Sequence, residues 1–230
     1  MFIGGLQKLT LIDYPGKIAC TVFTLGCNMR CPFCHNPELI VATKDSPRIA
    51  EREFFDFLKK RIGKLDGVCI TGGEPTIHAD IISFIAEIKK LGFLVKLDTN
   101  GISPDILENL IDKKLIDYIA MDIKHAPALY EDATGVKMDM DKIRKSVSLI
   151  MSSPIPYEFR TTAVPGIHKE EDFLEIGAWI RGAQAYYIQE YREIKIFDLK
   201  LKDKTGGKTI DLERILQSVK GNFTHVGIRK

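Results

Sequence analysis

The chain has 230 residues, with 33 lysines and arginines against 31 aspartates and glutamates, for a formal net charge of +2. That near balance gives no electrostatic case for a nucleic-acid or membrane partner. A composition of 45% hydrophobic and 28% charged residues is that of an ordinary globular protein long enough to bury its own core.

The apolar runs fall short of the roughly 18 residues a spanning helix needs. The opening, MFIGGLQKLT, lacks the basic-then-apolar order of a secretory leader. A cytoplasmic location is therefore expected. KIACTVFT (17–24) reads as the first strand, rich in β-branched residues. CNMRCPFC follows at once, placing Cys27, Cys31 and Cys34 in a C-x3-C-x2-C spacing. A helix is expected over 47–62, with Phe54, Phe55, Leu58 and Ile62 at helical intervals. GVCIT (67–71) reads as a strand that runs into Thr71-Gly72-Gly73-Glu74-Pro75. The next helix, 79–91, carries Ile81, Ile85 and Ile88 and stops at Gly92. FLVKLD (93–98) is a strand ending in Asp98-Thr99-Asn100-Gly101. Ser103-Pro104 reads as an N-cap and a first-turn proline, opening a helix to about residue 114. The strand DYIAMDI (117–123) delivers Asp122 and Lys124, and a helix is expected near 139–151. YEFRTTAV (157–164) carries Arg160 and leads to Pro165-Gly166, before a helix near 169–181. AYYIQEY (185–191) carries Gln189 and runs to Arg192. Beyond it, a helix near 210–219 lies between strand-like IKIFDLKL and NFTHVGIRK. This last segment holds no motif and reads as an extension that completes the core.

Strand–helix alternation predicts a parallel sheet with right-handed crossovers. Six such units are fewer than the eight of a full barrel of about 250 residues. The expected fold is α/β, a partial (β/α)6 TIM-like barrel open on one side, with a doubly wound open sheet as second choice. Residues 1–230 are expected to form one domain, with a motif-bearing core over about 6–192 and an extension over about 193–230. In either fold the reactive edge is the C-terminal end of the strands, and the chemistry-capable residues do follow the strands. Taken singly, Gly-Gly and Asn-Gly are ordinary turn formers, and a lone Asp or Lys is a solvated loop residue. Six strand ends on one face point to a site.

Five cysteines, three of them bunched, read as a metal or cluster site rather than a disulfide framework. Cys20 and Cys69 sit in apolar runs and are expected to be buried strand residues. A zinc site would want a fourth ligand, and the candidate is His35. It adjoins Cys34, and neighbouring side chains rarely turn onto one ion. A four-iron cubane held by three thiolates instead leaves one iron open, and an open position is a place for substrate or cofactor. His35 and Asn36 read as turn and cap residues of the loop.

CNMRCPFC, with Phe33 before the last cysteine and TGGEP about 40 residues on, resembles the radical S-adenosylmethionine (SAM) superfamily. The stretch LQKLTLIDYPGKIACTVFTLGCNMRCPFCHNPELI is similar to the opening of anaerobic ribonucleoside-triphosphate reductase activating proteins, and also to pyruvate formate-lyase activators. The likeness runs from about Leu6 to Arg192. It implies a [4Fe-4S] cluster on Cys27, Cys31 and Cys34, which are also the catalytic set, with SAM chelating the open iron. One-electron cleavage of SAM would then yield a radical that takes a hydrogen from the substrate. The cofactor carries the chemistry, and the protein supplies placement and exclusion of water. The resemblance also implies cofactor contacts from Phe33, from the Gly72-Gly73 loop shaped by Glu74, and from Asp98, Asp122, Lys124, Arg160 and Gln189. Asp98 and Asp122 resemble a pair that holds a monovalent cation beside SAM.

The implied substrate is a glycine of a glycyl-radical ribonucleotide reductase, with flavodoxin or ferredoxin as electron donor. The absence of a second cysteine set disfavours relatives with auxiliary clusters, and an open barrel side suits a protein substrate. Two alternatives remain at this point. One is a radical SAM enzyme acting on a small molecule such as a modified-base precursor. The other is a non-enzymatic zinc or iron–sulfur protein.

Overall fold

The computed structural model describes residues 1–193 and 196–230. Its centre is an eight-stranded sheet: β1 (Ile3–Thr10), β2 (Ala19–Thr24), β3 (Gly67–Gly72), β4 (Leu94–Thr99), β5 (Tyr118–Asp122), β6 (Tyr157–Ala163), β7 (Ala185–Glu190) and β8 (His225–Arg229). The strands lie side by side in chain order. All pairs from β2 to β8 are parallel, and β1 runs antiparallel to β2. Since β1 and β8 are not neighbours, the barrel is open, as expected. The six strands read from the sequence are all present, and β1 and β8 extend the sheet at its two ends.

The crossovers carry α1 (Glu51–Lys59), α2 (Ile81–Lys90), α3 (Pro104–Asp112), α4 (Tyr130–Thr134), α5 (Met140–Ser152), α6 (Glu170–Trp179), α7 (Leu201–Thr205) and α8 (Leu212–Val219). Their apolar faces supply Phe54, Leu58, Ile81, Ile85 and Ile88 to a core shared with Val68, Ile70, Val95 and Leu97 of the strands. Each such buried side chain contributes about 1.5–3 kcal/mol relative to exposure. No helix among the described residues is long and apolar enough to cross a membrane.

Strand residues alternate between faces, and this sorts the two spare cysteines. Both are fully buried. Cys20 joins the apolar core. Cys69 is in register with Thr21 on β2 and Lys96 on β4 and faces the polar lumen.

Three expectations need correction. The helix of 47–62 is α1 alone, because Ile49 is held in an antiparallel bridge with Ile3 and cannot enter a helix. Ile62 consequently lies past the helix end and is exposed. Ser103 occupies the N-cap of α3, but its hydroxyl makes no capping bond; Pro104 opens the helix without it. IKIFDLKL lies partly on residues outside the description. Its described remainder forms no strand and ends in α7.

Candidate active site

The twelve residues singled out from the sequence all line one cavity of about 470 Å³. It opens at the C-terminal ends of the parallel strands, where the loops after β2, β3, β4 and β5 meet the C-terminal parts of β6 and β7.

The cysteine loop is pinned by backbone bonds at both ends. Gly26 N–H donates to Leu39 O at 2.7 Å, Cys27 N–H to Ile40 O at 3.0 Å, and Arg30 N–H to Thr134 O at 2.8 Å. The Arg30 guanidinium reaches back to the carbonyls of Cys27 and Met29, at 2.7 and 2.8 Å. Burial pushes the Cys31 thiol up to about 12, against the pull of Lys124, and moves Cys27 and Cys34 in the same direction. The metal-free thiols are therefore neutral, and metal binding must release their protons.

The thiols are held on one wall of the cavity. Cys27, Cys31 and Cys34 all line it. Three thiols suit a cluster, in which each thiolate takes a different iron, better than one tetrahedral zinc, which wants a fourth ligand. His35 is turned away into a structural contact. Its Nε2 meets Arg192 O at 2.9 Å, and its ring stacks on Tyr191.

The Gly-Gly loop crosses close behind the cysteine loop. Gly73 N–H donates to Thr24 O at 2.9 Å, and Glu74 N–H to Gly26 O at 2.8 Å. Gly72 has φ +108°, a region closed to most side chains. A Cβ on Gly73 would run into the carbonyl oxygen of Gly26. Gly73→Ala should therefore destabilise the protein by about 3 kcal/mol through overpacking against backbone. Thermal unfolding checks this, with an expected fall of about 6–12 °C in Tm.

Glu74 is 1% exposed and offers no free carboxylate to a ligand. Its Oε1 accepts from Thr76 N, Thr76 Oγ1 and Thr99 Oγ1 at 3.0, 2.6 and 2.8 Å, and its Oε2 from Asn100 N at 2.6 Å. It is the brace between the loops after β3 and β4.

The floor of the cavity is ionic. Arg160 bridges the two aspartates, with Nη1 at 3.1 Å from Asp98 Oδ2 and Nε at 2.8 Å from Asp122 Oδ1. Lys124 Nζ takes Asp122 Oδ2 at 2.9 Å, and Lys96 Nζ takes Asp98 Oδ1. Burial alone would raise both carboxyls, but Arg160, with Lys96 at Asp98 and Lys124 at Asp122, holds each below the usual carboxylate range. The pair expected to hold a monovalent cation, Asp98 and Asp122, is thus bridged by the Arg160 guanidinium and flanked by Lys96 and Lys124.

Gln189 lines the cavity from β7 and pairs in register with Arg229 of β8. Arg229 and Lys230 also line it, as do Thr162 and Glu190, and these four were not singled out from the sequence. Arg229 is fixed by a bidentate pair with buried Glu158, at 2.6 and 2.7 Å, and lies over the Tyr187 ring. The alternation in THVGIR is the signal that places Arg229 on one face of a strand.

Residues 21–180 match the Radical SAM superfamily. Over 99% of its length the chain is 34% identical to a Methanocaldococcus jannaschii protein provisionally named a glycyl-radical enzyme activating enzyme, covering 95% of that protein. It is 30% identical to the pyruvate formate-lyase-activating enzyme of Streptococcus mutans, over 85% of this chain and 79% of the relative. Among solved structures, 89% of the chain superposes on Streptococcus suis SuiB bound to S-adenosylmethionine, with TM-score 0.66 and 17% identity. The chain spans about half of SuiB, 48% of its length. A domain of a pyruvate-formate lyase-activating enzyme from Bacteroides vulgatus gives TM-score 0.52 at 15% identity, over 71% of this chain and 99% of the other. At these identities the structural matches speak for the fold. The matches along the sequence, joined to three cysteines at the mouth of an open barrel, reach further: the chain is an enzyme of the radical SAM superfamily, whose cofactors are a [4Fe-4S] cluster and SAM, and it belongs with the glycyl-radical-enzyme activating enzymes.

Proposed function

We propose that the protein substrate is an anaerobic ribonucleoside-triphosphate reductase and that residues 1–230 work as one radical SAM unit, with flavodoxin or ferredoxin as the electron donor. The observation that carries the reading is the open barrel. The sheet stops between β1 and β8, and β8 brings Arg229 and Lys230 to the cavity wall, so a polypeptide loop has a lateral way in. The resemblance of the stretch from Leu6 to Ile40 to reductase activators is what suggests this partner.

When bound, the cluster and SAM supply one-electron chemistry that removes a hydrogen from a glycine. The chain's own residues do the rest. Cys27, Cys31 and Cys34 hold the cluster on a loop whose shape is set before metal arrives. Gly72 and Gly73 leave the backbone open to the amino end of SAM. Lys124 and Arg160, fixed by Asp98 and Asp122, present positive charge to its carboxylate. Phe33, 5% exposed, and Gln189 close the cavity wall and keep water away. Phe33 is the sole Phe, Tyr or Trp lining the cavity among the described residues, which gives little support to a small-molecule site built on base stacking.

Mixing the cluster-loaded protein with the purified reductase, SAM and a reductant should produce a glycyl doublet in electron paramagnetic resonance (EPR). Consumption of SAM with no doublet would sink the assignment of this partner.

A further inference from the structure

We propose that Lys96 is a built-in counter-cation for the SAM site: its ammonium fills the place beside Asp98 that an alkali-metal ion would need, so cofactor binding requires no added monovalent cation. The inference rests on the reading of Asp98 and Asp122 as cofactor-site residues.

Lys96 stands in the middle of β4, where FLVKLD looks like a strand with one solvated charge. It is instead 2% exposed. Val95 and Leu97 enter the apolar core, so Lys96 and Asp98, two residues apart, share the opposite, lumen face. Burying an ammonium is costly unless it is paired. The groups around it are few: Asp98, to which it donates, the Cys69 Sγ at 3.7 Å, and the Arg160 guanidinium bound to the other oxygen of Asp98.

The thiol is not its counter-charge. Cys69 is buried and also faces Asp98 Oδ1 at 3.8 Å, and both influences keep it neutral. Burial opposes the charge on Lys96, but Asp98 outweighs it and keeps the amine protonated.

All four carboxylate oxygens of the pair thus accept from cationic donors. Lys96 and Arg160 take those of Asp98, and Arg160 and Lys124 those of Asp122. Within this cluster three cations face two anions, and the next anion on Arg160, Glu158, is taken up by Arg229, so one positive charge remains in excess. A sodium or potassium ion added here would meet no carboxylate oxygen of the pair without a cationic donor and would feel net repulsion. The same excess charge suits the carboxylate of an amino-acid-like ligand. Lys96 is a positioning residue: it acts through Asp98, which in turn orients Arg160.

The test compares wild type with Lys96→Met at constant ionic strength in sodium, potassium and choline chloride. The metal-free proteins are examined first by sodium-23 NMR. Wild type should give no excess line broadening, and Lys96→Met should give broadening that potassium competes away. In the cluster-loaded proteins, SAM affinity is read from the change in the EPR signal. Wild type should vary by less than twofold among the three salts. Lys96→Met should bind roughly tenfold more weakly in choline and recover in sodium or potassium, the difference expected for one lost charge contact.

Competed broadening in wild type, or tenfold weaker SAM binding by wild type in choline, would overturn the proposal. So would a folded Lys96→Met that neither binds sodium nor loses affinity. If the variant does not fold, the wild-type salt series decides alone. Failure to bind SAM in every salt would count against the cofactor-site reading itself, while the sodium experiment would still judge Lys96.

Discussion

Cys31→Ala should bring iron and sulfide content after anaerobic reconstitution down to background, and SAM cleavage with it, while the fold survives. Cys31 is 7% exposed, and its loop is fixed by backbone bonds that do not involve the thiol. Burial keeps that thiol neutral without metal, so its removal takes away no buried charge. The cost to the metal-free protein is that of a small truncation, about 1 kcal/mol, or about 2–4 °C in Tm. A cubane reduced from three protein thiolates to two has no replacement at hand, since Cys20 and Cys69 are sealed in strands away from the loop. Iron and sulfide analysis beside thermal unfolding separates the two effects. Full iron content in the variant would mean that the cluster is held elsewhere.

Arg160→Met should cost stability as well as activity. The guanidinium is 12% exposed and touches both aspartates. Its loss leaves two neighbouring carboxylates facing each other over a desolvated gap, and removing one partner of such a pair costs about 3–5 kcal/mol. The expected fall in Tm is about 6–20 °C. The effect should depend on pH with a definite sign. Burial pushes Asp98 and Asp122 up, but Arg160 leads the contacts that hold both below their unfolded value. The stability they contribute is therefore complete above about pH 5 and is lost as pH falls from about 4 toward their folded-state values. Urea unfolding at pH 7.5 and pH 3.5 should show a gap between wild type and variant that is wide at the first and narrower at the second. An equal gap at both would mean that packing, not charge, is what Arg160 supplies.

The strands were legible because each is a short β-branched or aromatic run closed by turn residues, and the cavity because polar residues follow those runs. The sequence was less clear at the sheet's ends. In β1 the stretch IGGLQKLT mixes two glycines with polar residues and carries no apolar stripe; its place is set by pairing with β2. IKIFDLKL alternates as a strand should, yet its described residues, 196–201, form no strand, and the edge of β7 is taken by β8. Pattern describes what a segment can do, and an available edge decides whether it does. Lys96 was missed for a related reason. A lysine inside an apolar run looks solvated, and only its sharing a face with Asp98 shows that it points inward. The pairing of Asp98 with Asp122 was expected from a resemblance, and the structure adds that Arg160 bridges them. Arg160 had been read as a neighbour of SAM, and nothing in its spacing said that it would also span two strands.

The chain-order arrangement of the sheet bears on how the enzyme comes to be assembled. Every strand from β2 onward docks on the one made just before it, so each finds a partner already synthesised. Cys34 leaves the ribosome 195 residues ahead of Arg229 (229 minus 34). At roughly 5–20 residues per second, that is a delay of roughly 10–40 s. Through that interval the thiols sit on a half-built rim, before β6, β7 and β8 bring in Arg160, Gln189 and Arg229. The cysteine loop is thus presented to its surroundings well before the walls that will enclose it exist.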